Sequence, residues 1–283
     1  MGTMSTYGNR DTYLLSQYDE VLRNYMVAEQ VCDVNREDTK RIQNPYGNQV
    51  TATVQAIAGT YSVNAWTVTD DALTVTDEVI FSEHVFGSEP FFAKFDIAAK
   101  RLDEMMYAVA YGIDKYVINN LTETAGSTYT TPTGGFTNPA NINTIMASLQ
   151  SKVAGYQYGY NNTFLVIENT DLVGFGVAGA TNGFGVADQT IRNGFLRNWM
   201  GTDIYVVRSG TFVDATIGTT TVTNNGHRVF GVKGMATYAS PRGINYSEKE
   251  VSGKTGKEIV VWGLVGFKNW AQRKFLIVDI TLA

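Results

Sequence analysis

The chain reads as an α+β protein, and three patterns carry that reading. Apolar residues recur every three or four positions from Phe95 to Tyr116, the period of one helix face. They alternate in twos over residues 49–86, as in strands whose two faces differ, and the C-terminal part returns to strand-like sequence. Twenty-eight glycines against five prolines, with 16 tyrosines and abundant Thr and Val, describe a β-rich chain with many turns.

In chain order, the first element is an amphipathic stretch over 13–30. Leu14, Tyr18, Val21 or Leu22, and Tyr25 share a face while Asp19, Glu20, Arg23 and Asn24 fill others, which predicts a helix in an N-terminal arm. Its apolar stripe needs a partner surface, and another subunit could supply one. Asn44-Pro45-Tyr46-Gly47 then breaks the chain. Val50, Ala52, Val54, Val63, Ala65, Trp66 and Val68 follow in strand alternation, continued by Leu73, Val75, Val79 and Phe81, with turns expected near Gly59 and near Asp70-Asp71. The second face holds so few bulky residues that the segment reads as an extended hairpin, which a neighbour must hold in place.

The long helix has a good start signal. Ser88 offers a capping oxygen, Glu89 suits the positive end of the dipole, and Pro90 tolerates the first turn because its missing N–H has no intrahelical partner there. Phe95, Ala98, Leu102, Met105, Val109, Ile113 and Tyr116 line one face, and Asp96 with Lys100, and Lys100 with Glu104, stand one turn apart. Running from Ser88 to Leu121 at ~1.5 Å per residue, the helix would span roughly 50 Å, far beyond the globular mean of about 11–12 residues. A helix of that length braces something extended, the plainer alternative being a buried core helix of an enzyme.

Residues 122–138, rich in Thr, Gly and Ser, read as a surface loop. Asn138 and Pro139 open a helix to about Gly155, with Ile142, Ile145, Met146 and Leu149 inward. Phe164-Leu165-Val166-Ile167 is a continuous apolar run that suits a strand buried on both faces. A helix is expected over 188–200 and a strand over 204–207, and Asn224-Asn225-Gly226 is expected to be a hairpin turn joining 212–222 to 227–238. Residues 126–238 thus look like a compact α/β unit, and strands over 243–251, 258–270 and 274–282 close the chain.

Composition narrows the function classes. With 283 residues, 44% hydrophobic and 17% charged, the chain can bury one large or two modest cores. A net charge of −5 argues against a general nucleic-acid binder. Cys32 is alone, so neither an intrachain disulfide nor a thiolate zinc cluster can form. No signal-peptide core and no run of about 18 apolar residues occurs, so a soluble protein with no membrane partner is expected.

The chemical motifs are weak. Gly174-Phe175-Gly176-Val177-Ala178-Gly179 matches the dinucleotide pattern, but it does not directly follow the apolar strand, and no acidic residue ends a second strand. It is read as a flexible loop. His84 and His227 have no ligand-type residue at metal-site spacing, and the pairs Asp70-Asp71 and Asp77-Glu78 point to opposite faces of extended chain. No catalytic, cofactor-binding or metal residue is assigned, and no cofactor is expected.

The order of elements resembles the major capsid protein of tailed bacteriophages of the Hong Kong 97 type (HK97-like fold). The likeness rests on Phe91-Phe92-Ala93-Lys94-Phe95-Asp96-Ile97-Ala98-Ala99-Lys100-Arg101-Leu102 running on through Ala110-Tyr111-Gly112-Ile113-Asp114-Lys115-Tyr116, on Phe164-Leu165-Val166-Ile167-Glu168-Asn169, and on the closing Val260–Phe267 and Phe275–Asp279 segments. The resemblance implies an N-terminal arm over 1–43 and an extended hairpin with a leading peripheral strand over 44–86. A peripheral domain with its spine helix follows over 87–125, then an axial α/β domain over 126–237, peripheral return strands over 238–272 and a final strand over 273–283. It also implies a structural, non-enzymatic subunit that forms hexamers and pentamers of an icosahedral shell around double-stranded DNA. Such a subunit is assembled in the bacterial host cytoplasm and resides in the virion capsid. Its partners would be itself, portal, scaffold and decoration proteins, and DNA held without sequence preference.

Two features depart from or refine that pattern. The family's covalent link uses a hairpin lysine, and residues 45–89 contain no Lys or Arg, so a noncovalent shell is expected. The short stretch ahead of the hairpin leaves no room for a large scaffolding region, so a separate scaffold or none is expected. Alternatives are an encapsulin-like compartment shell and a glycine-loop ligand-binding enzyme domain. The hairpin region carries only acids and the 233–274 region is mostly basic, which nominates Asp70, Asp71, Asp77, Glu78, Lys249, Lys254 and Lys257 as intersubunit contacts.

Overall fold

The computed structural model describes residues 26–47, 67–85, 97–155, 162–181, 198–251 and 255–283, together with the single positions 52, 54, 57, 59, 65 and 253. The expected arm helix up to residue 25, the Ser88-Glu89-Pro90 helix start, Phe95, most of the hairpin tip and residues 188–197 lie outside them.

The described helices are α1 (Ala28–Val31), α2 (Ile97–Glu123), α3 (Ile142–Val153) and α4 (Leu172–Thr181). The strands are β1 (Asp33–Asn35), β2 (Arg41–Gln43), β3 (Tyr46–Gly47), β4 (Val68–Thr69), β5 (Ala72–Thr74), β6 (Asp77–Val85), β7 (Ser127–Thr130), β8 (Thr163–Glu168), β9 (Asn198–Trp199), β10 (Thr202–Val207), β11 (Asp214–Ile217), β12 (Thr220–Thr223), β13 (His227–Val232), β14 (Ala236–Ala239), β15 (Ile244–Glu250), β16 (Lys257–Asn269) and β17 (Ile277–Thr281).

Two sheets share the long helix. In the first, β16 is central: β6 pairs along one edge, while β15 and β14 pair in succession along the other, and β1 adds parallel to β14. In the second, the order is β7-β17-β13-β8-β10-β9. The N-terminal half of α2 lays Met105, Val109 and Ile113 on Ile259, Val261 and Val265 of the first sheet, and its C-terminal half carries Tyr116, Val117, Ile118 and Leu121 to Phe164, Val166, Val229 and Ile277 of the second. At ~1.5 Å per residue, its 27 residues span about 40 Å. The length the sequence predicts is therefore used to join two sheets through one core.

Strand alternation explains the other core. Every residue of β8 is buried: Phe164 and Val166 face α2, while Leu165 and Ile167 join Ile145, Met146 and Leu149 of α3 and Phe175 of α4 on the opposite side. Asn138 caps the turn before α3 by accepting the Ala140 N–H at 3.2 Å.

Four sequence expectations change. The glycine motif is the helix α4, and Gly174 is required because a Cβ there would overlap the Phe136 carbonyl oxygen. Residues 122–138 are not simply a surface loop, since β7 pairs with β17 and Phe136 is fully buried. Asn224-Asn225-Gly226 does not close a hairpin: β12 pairs with β11 across Gly218 and Thr219, and β13 pairs with β8 and β17. Residues 198–199, expected to end a helix, form a strand edge beside β10.

Candidate assembly surface

The hairpin begins as a two-stranded ribbon. β2 pairs with β5 (Ile42 opposite Leu73), and farther out β3 pairs with β4 (Tyr46 opposite Thr69). Asp70 and Asp71 lie within this ribbon across from Asn44 and Pro45, with the Asn44 N–H donated to the Asp71 carbonyl, so the chain does not turn there as the sequence reading expects. Beyond residue 47 the sequence carries no charge until Asp70. Val54 and Ile57, in that stretch, are fully exposed.

The ribbon base is seated on the face of the first sheet opposite α2. Leu73 is completely buried with Val75, Ala239 and Trp270, and Gly266 leaves space where a Cβ would strike the Thr74 carbonyl and Val75. Farther along the same face, the register aligns Leu264 with Glu78, Ile80 with Trp262 and Asn245, Val260 with Ser82 and Ser247, and Glu258 with His84 and Lys249. Ile80 is 59% and Leu264 38% exposed, and Trp262 and Val260 are half-buried. This makes an apolar strip with a polar rim.

The seven nominated residues separate. Asp71 is paired within its own chain: Lys268 Nζ is 2.7 Å from Oδ1, and Oδ2 accepts the Ala271 N–H at 3.1 Å. Partial burial alone would raise its pKa, but Lys268 and the Ala271 and Ala72 N–H groups hold it below the ordinary carboxylate value. Asp77 is buried where the start of β6 meets α2 and the β11–β12 turn. It accepts the Tyr116 hydroxyl at 2.6 Å, the Thr219 N–H at 2.7 Å and hydroxyl at 3.2 Å, and the Thr76 hydroxyl at 3.0 Å. Asp70 is exposed and accepts from Gln43 at 3.2 Å. Glu78 and Lys249 are exposed at opposite ends of the strip, whereas Lys257 points to the other face and pairs with Glu248 at 2.8 Å. Lys254 lies outside the described residues.

Sequence reasoning missed Asn119. From α2 its amide donates to the Thr211 carbonyl and accepts the Val213 N–H, and Asn224 donates to it in turn, fixing the β11–β12 hairpin against the helix. An Asn on the buried side of a helical pattern was the available signal. His227 pairs with Asp279 at 2.8 Å, and among the described residues no three His, Cys, Asp or Glu side chains cluster as metal ligands.

No family model and no curated protein matches the chain. Solved structures do. The capsid of cyanophage P-SCSP1u aligns with a TM-score of 0.75 at 13% identity, covering 96% of this chain and 92% of that one. This is the HK97-type capsid fold. A structure of Mycobacterium phage Che8 aligns with a TM-score of 0.74 at 15% identity over 96% and 97% of the two chains. The capsid of a native GTA particle gives 0.68 at 14% identity over 100% and 99%. The likeness thus runs through the whole capsid fold, including both sheets and the helix that joins them.

Proposed function

We propose that this chain is the structural subunit of a phage-type capsid, assembling as hexamers and pentamers into an icosahedral shell that encloses double-stranded DNA. The observation that carries the reading is a pair of exposed apolar surfaces: the uncharged stretch of the hairpin exposes Val54 and Ile57, the first sheet exposes Ile80 and Leu264, and no described residue covers either. Two distinct apolar surfaces on one molecule favour head-to-tail contact between copies, the arrangement that closes rings. The near-complete overlap with capsid structures supports the same reading.

In this subunit the first sheet with the N-terminal half of α2 is the peripheral domain, and the second sheet with α3 and α4 is the axial domain. Asp70, Glu78 and Lys249 are the nominated residues best placed for the hairpin contact, Lys254 and Lys257 remain candidates for it, and Asp71 and Asp77 are also bonded within the subunit. The role is structural, with portal, scaffold and decoration proteins as further partners, and the site of residence is the virion capsid after assembly in the host cytoplasm.

Negative-stain microscopy with light scattering tests the reading on the purified full-length chain. Closed particles of megadalton mass are expected, and the double variant Val54→Asp, Ile57→Asp should give folded subunits that do not close. A wild-type chain that stays a monodisperse folded monomer under all assembly conditions would overturn the proposal.

A further inference from the structure

We propose that Asp114 is a proton-controlled latch that fastens residues 26–35 to the long helix, holding them more tightly when its carboxyl is protonated. The inference is independent of whether copies of the chain form a shell.

The geometry is unusual for a carboxylate. Helix α1 has only four residues, and no side chain of its own caps it. Its first N–H groups are met instead from α2, where Asp114 Oδ1 accepts the Val27 N–H at 2.9 Å and the Ala28 N–H at 2.5 Å. Asp114 is 3% exposed, and Val27, Ala28 and Val31 are buried around it in the core shared with α2. The strap continues as β1, which pairs parallel with β14.

No cation offsets this buried charge among the described residues. Glu29 on α1 acts on it directly, as Asp114 does on the Cys32 thiol just past α1, which Asp33 of β1 also faces, and the Tyr238 hydroxyl on β14 donates to Glu29 at 3.3 Å. Arg36 pairs with Glu29 at 2.9 Å from the exposed side. On α2 itself, the Tyr116 hydroxyl is committed to Asp77 and the Tyr111 hydroxyl bonds Thr211. Burial is the largest influence on Asp114 and raises its pKa, the Ala28 and Val27 N–H groups lower it, and Glu29 raises it again, leaving it at about 6.

With the strap released, the carboxyl meets water and returns to its ordinary value of 3.8. The docked form therefore binds the proton more tightly than the released form, so docking strengthens as pH falls from about 6 toward 3.8 and weakens as pH rises through that window. The protonated acid still offers a carbonyl oxygen to an N–H donor, and the cost of burying a charge is gone. Those two values make strap opening about tenfold more frequent near pH 7.5 than near pH 5.

Hydrogen exchange read by mass spectrometry on the full-length chain tests this, with rates corrected for the intrinsic pH dependence and peptides over 227–232 as reference. The wild-type 26–35 peptides should show about tenfold more opening near pH 7.5 than near pH 5. Asp114→Asn should open equally at both, and Glu29→Gln should retain most of the dependence. Equal wild-type opening at the two pH values, or full pH dependence in Asp114→Asn, would overturn the latch. Should Asp114→Asn fail to fold, Glu29→Gln and Asp33→Asn decide: retention of the pH effect in both supports Asp114 as its source, and its loss in either assigns the proton elsewhere.

Discussion

Lys268 on β16 reaches across to Asp71 in the hairpin ribbon, Nζ to Oδ1 at 2.7 Å, so part of the charge complementarity between the acidic hairpin and the basic C-terminal region is used within a single chain. The pair locks the ribbon base beside Leu73. Because the Asp71 pKa is depressed, the interaction contributes stability above about pH 3.8, and the contribution is lost as pH falls through the lower folded value. Lys268→Met should lower subunit stability by about 0.5–1 kcal/mol near neutral pH, the scale of a partly exposed pair. In urea titrations the difference from wild type should shrink toward zero in acid, and a difference that persists unchanged would assign it to packing.

Met105 and Leu102 lie one turn apart on α2 but differ in burial. Met105 is 2% exposed within the core, whereas Leu102 packs at its margin. Met105→Ala should cost about 2–5 kcal/mol, as for a buried large-to-small change. Leu102→Ala should cost less, because solvent can fill part of the space. Equal losses in denaturant unfolding would contradict the assigned face.

Two glycines of α4 give opposite expectations. Gly174→Ala drives a methyl group into the Phe136 carbonyl and should destabilise by about 1–3 kcal/mol. Gly176 has open space around it, so Gly176→Ala should stabilise the helix by up to about 1 kcal/mol. Thermal unfolding of the two variants separates a packing requirement from a loop that tolerates either change.

For the assembly contacts, the combined change Lys249→Glu, Lys254→Glu, Lys257→Glu should impair particle formation, and adding Asp70→Lys should partly restore it. Raised salt should weaken wild-type particles in the same direction. Light scattering of all three proteins decides the matter, and normal assembly of the triple variant would remove these lysines from the contact. Since residues 45–89 hold no lysine, particles boiled in detergent and reductant should run as single-chain bands.

The sequence by itself determined the elements whose signal is local and periodic. Phe164-Leu165-Val166-Ile167 suited a strand covered on both faces, and the Leu102–Met105–Val109–Ile113 spacing set both a helix and its inward side. Strand alternation made the ribbon's strands legible, but not the pairing of Asn44 with Asp71 where a turn was expected. Tertiary structure decided what depends on residues distant in sequence. Gly174 looked like loop glycine because nothing local shows that the Phe136 carbonyl presses against it, and helix propensity alone disfavours so many glycines. Asn224-Asn225-Gly226 carried a hairpin's turn chemistry, yet β13 gained more by lying between β8 and β17, where both its faces are buried. Asp77 and Asp114 are charges that composition assigns to the surface. Only the fold brings Tyr116 and Thr219 to one, and the Val27 and Ala28 N–H groups to the other, because the hydrogen bonds that make a buried carboxylate tolerable come from elements 39 to 142 residues away.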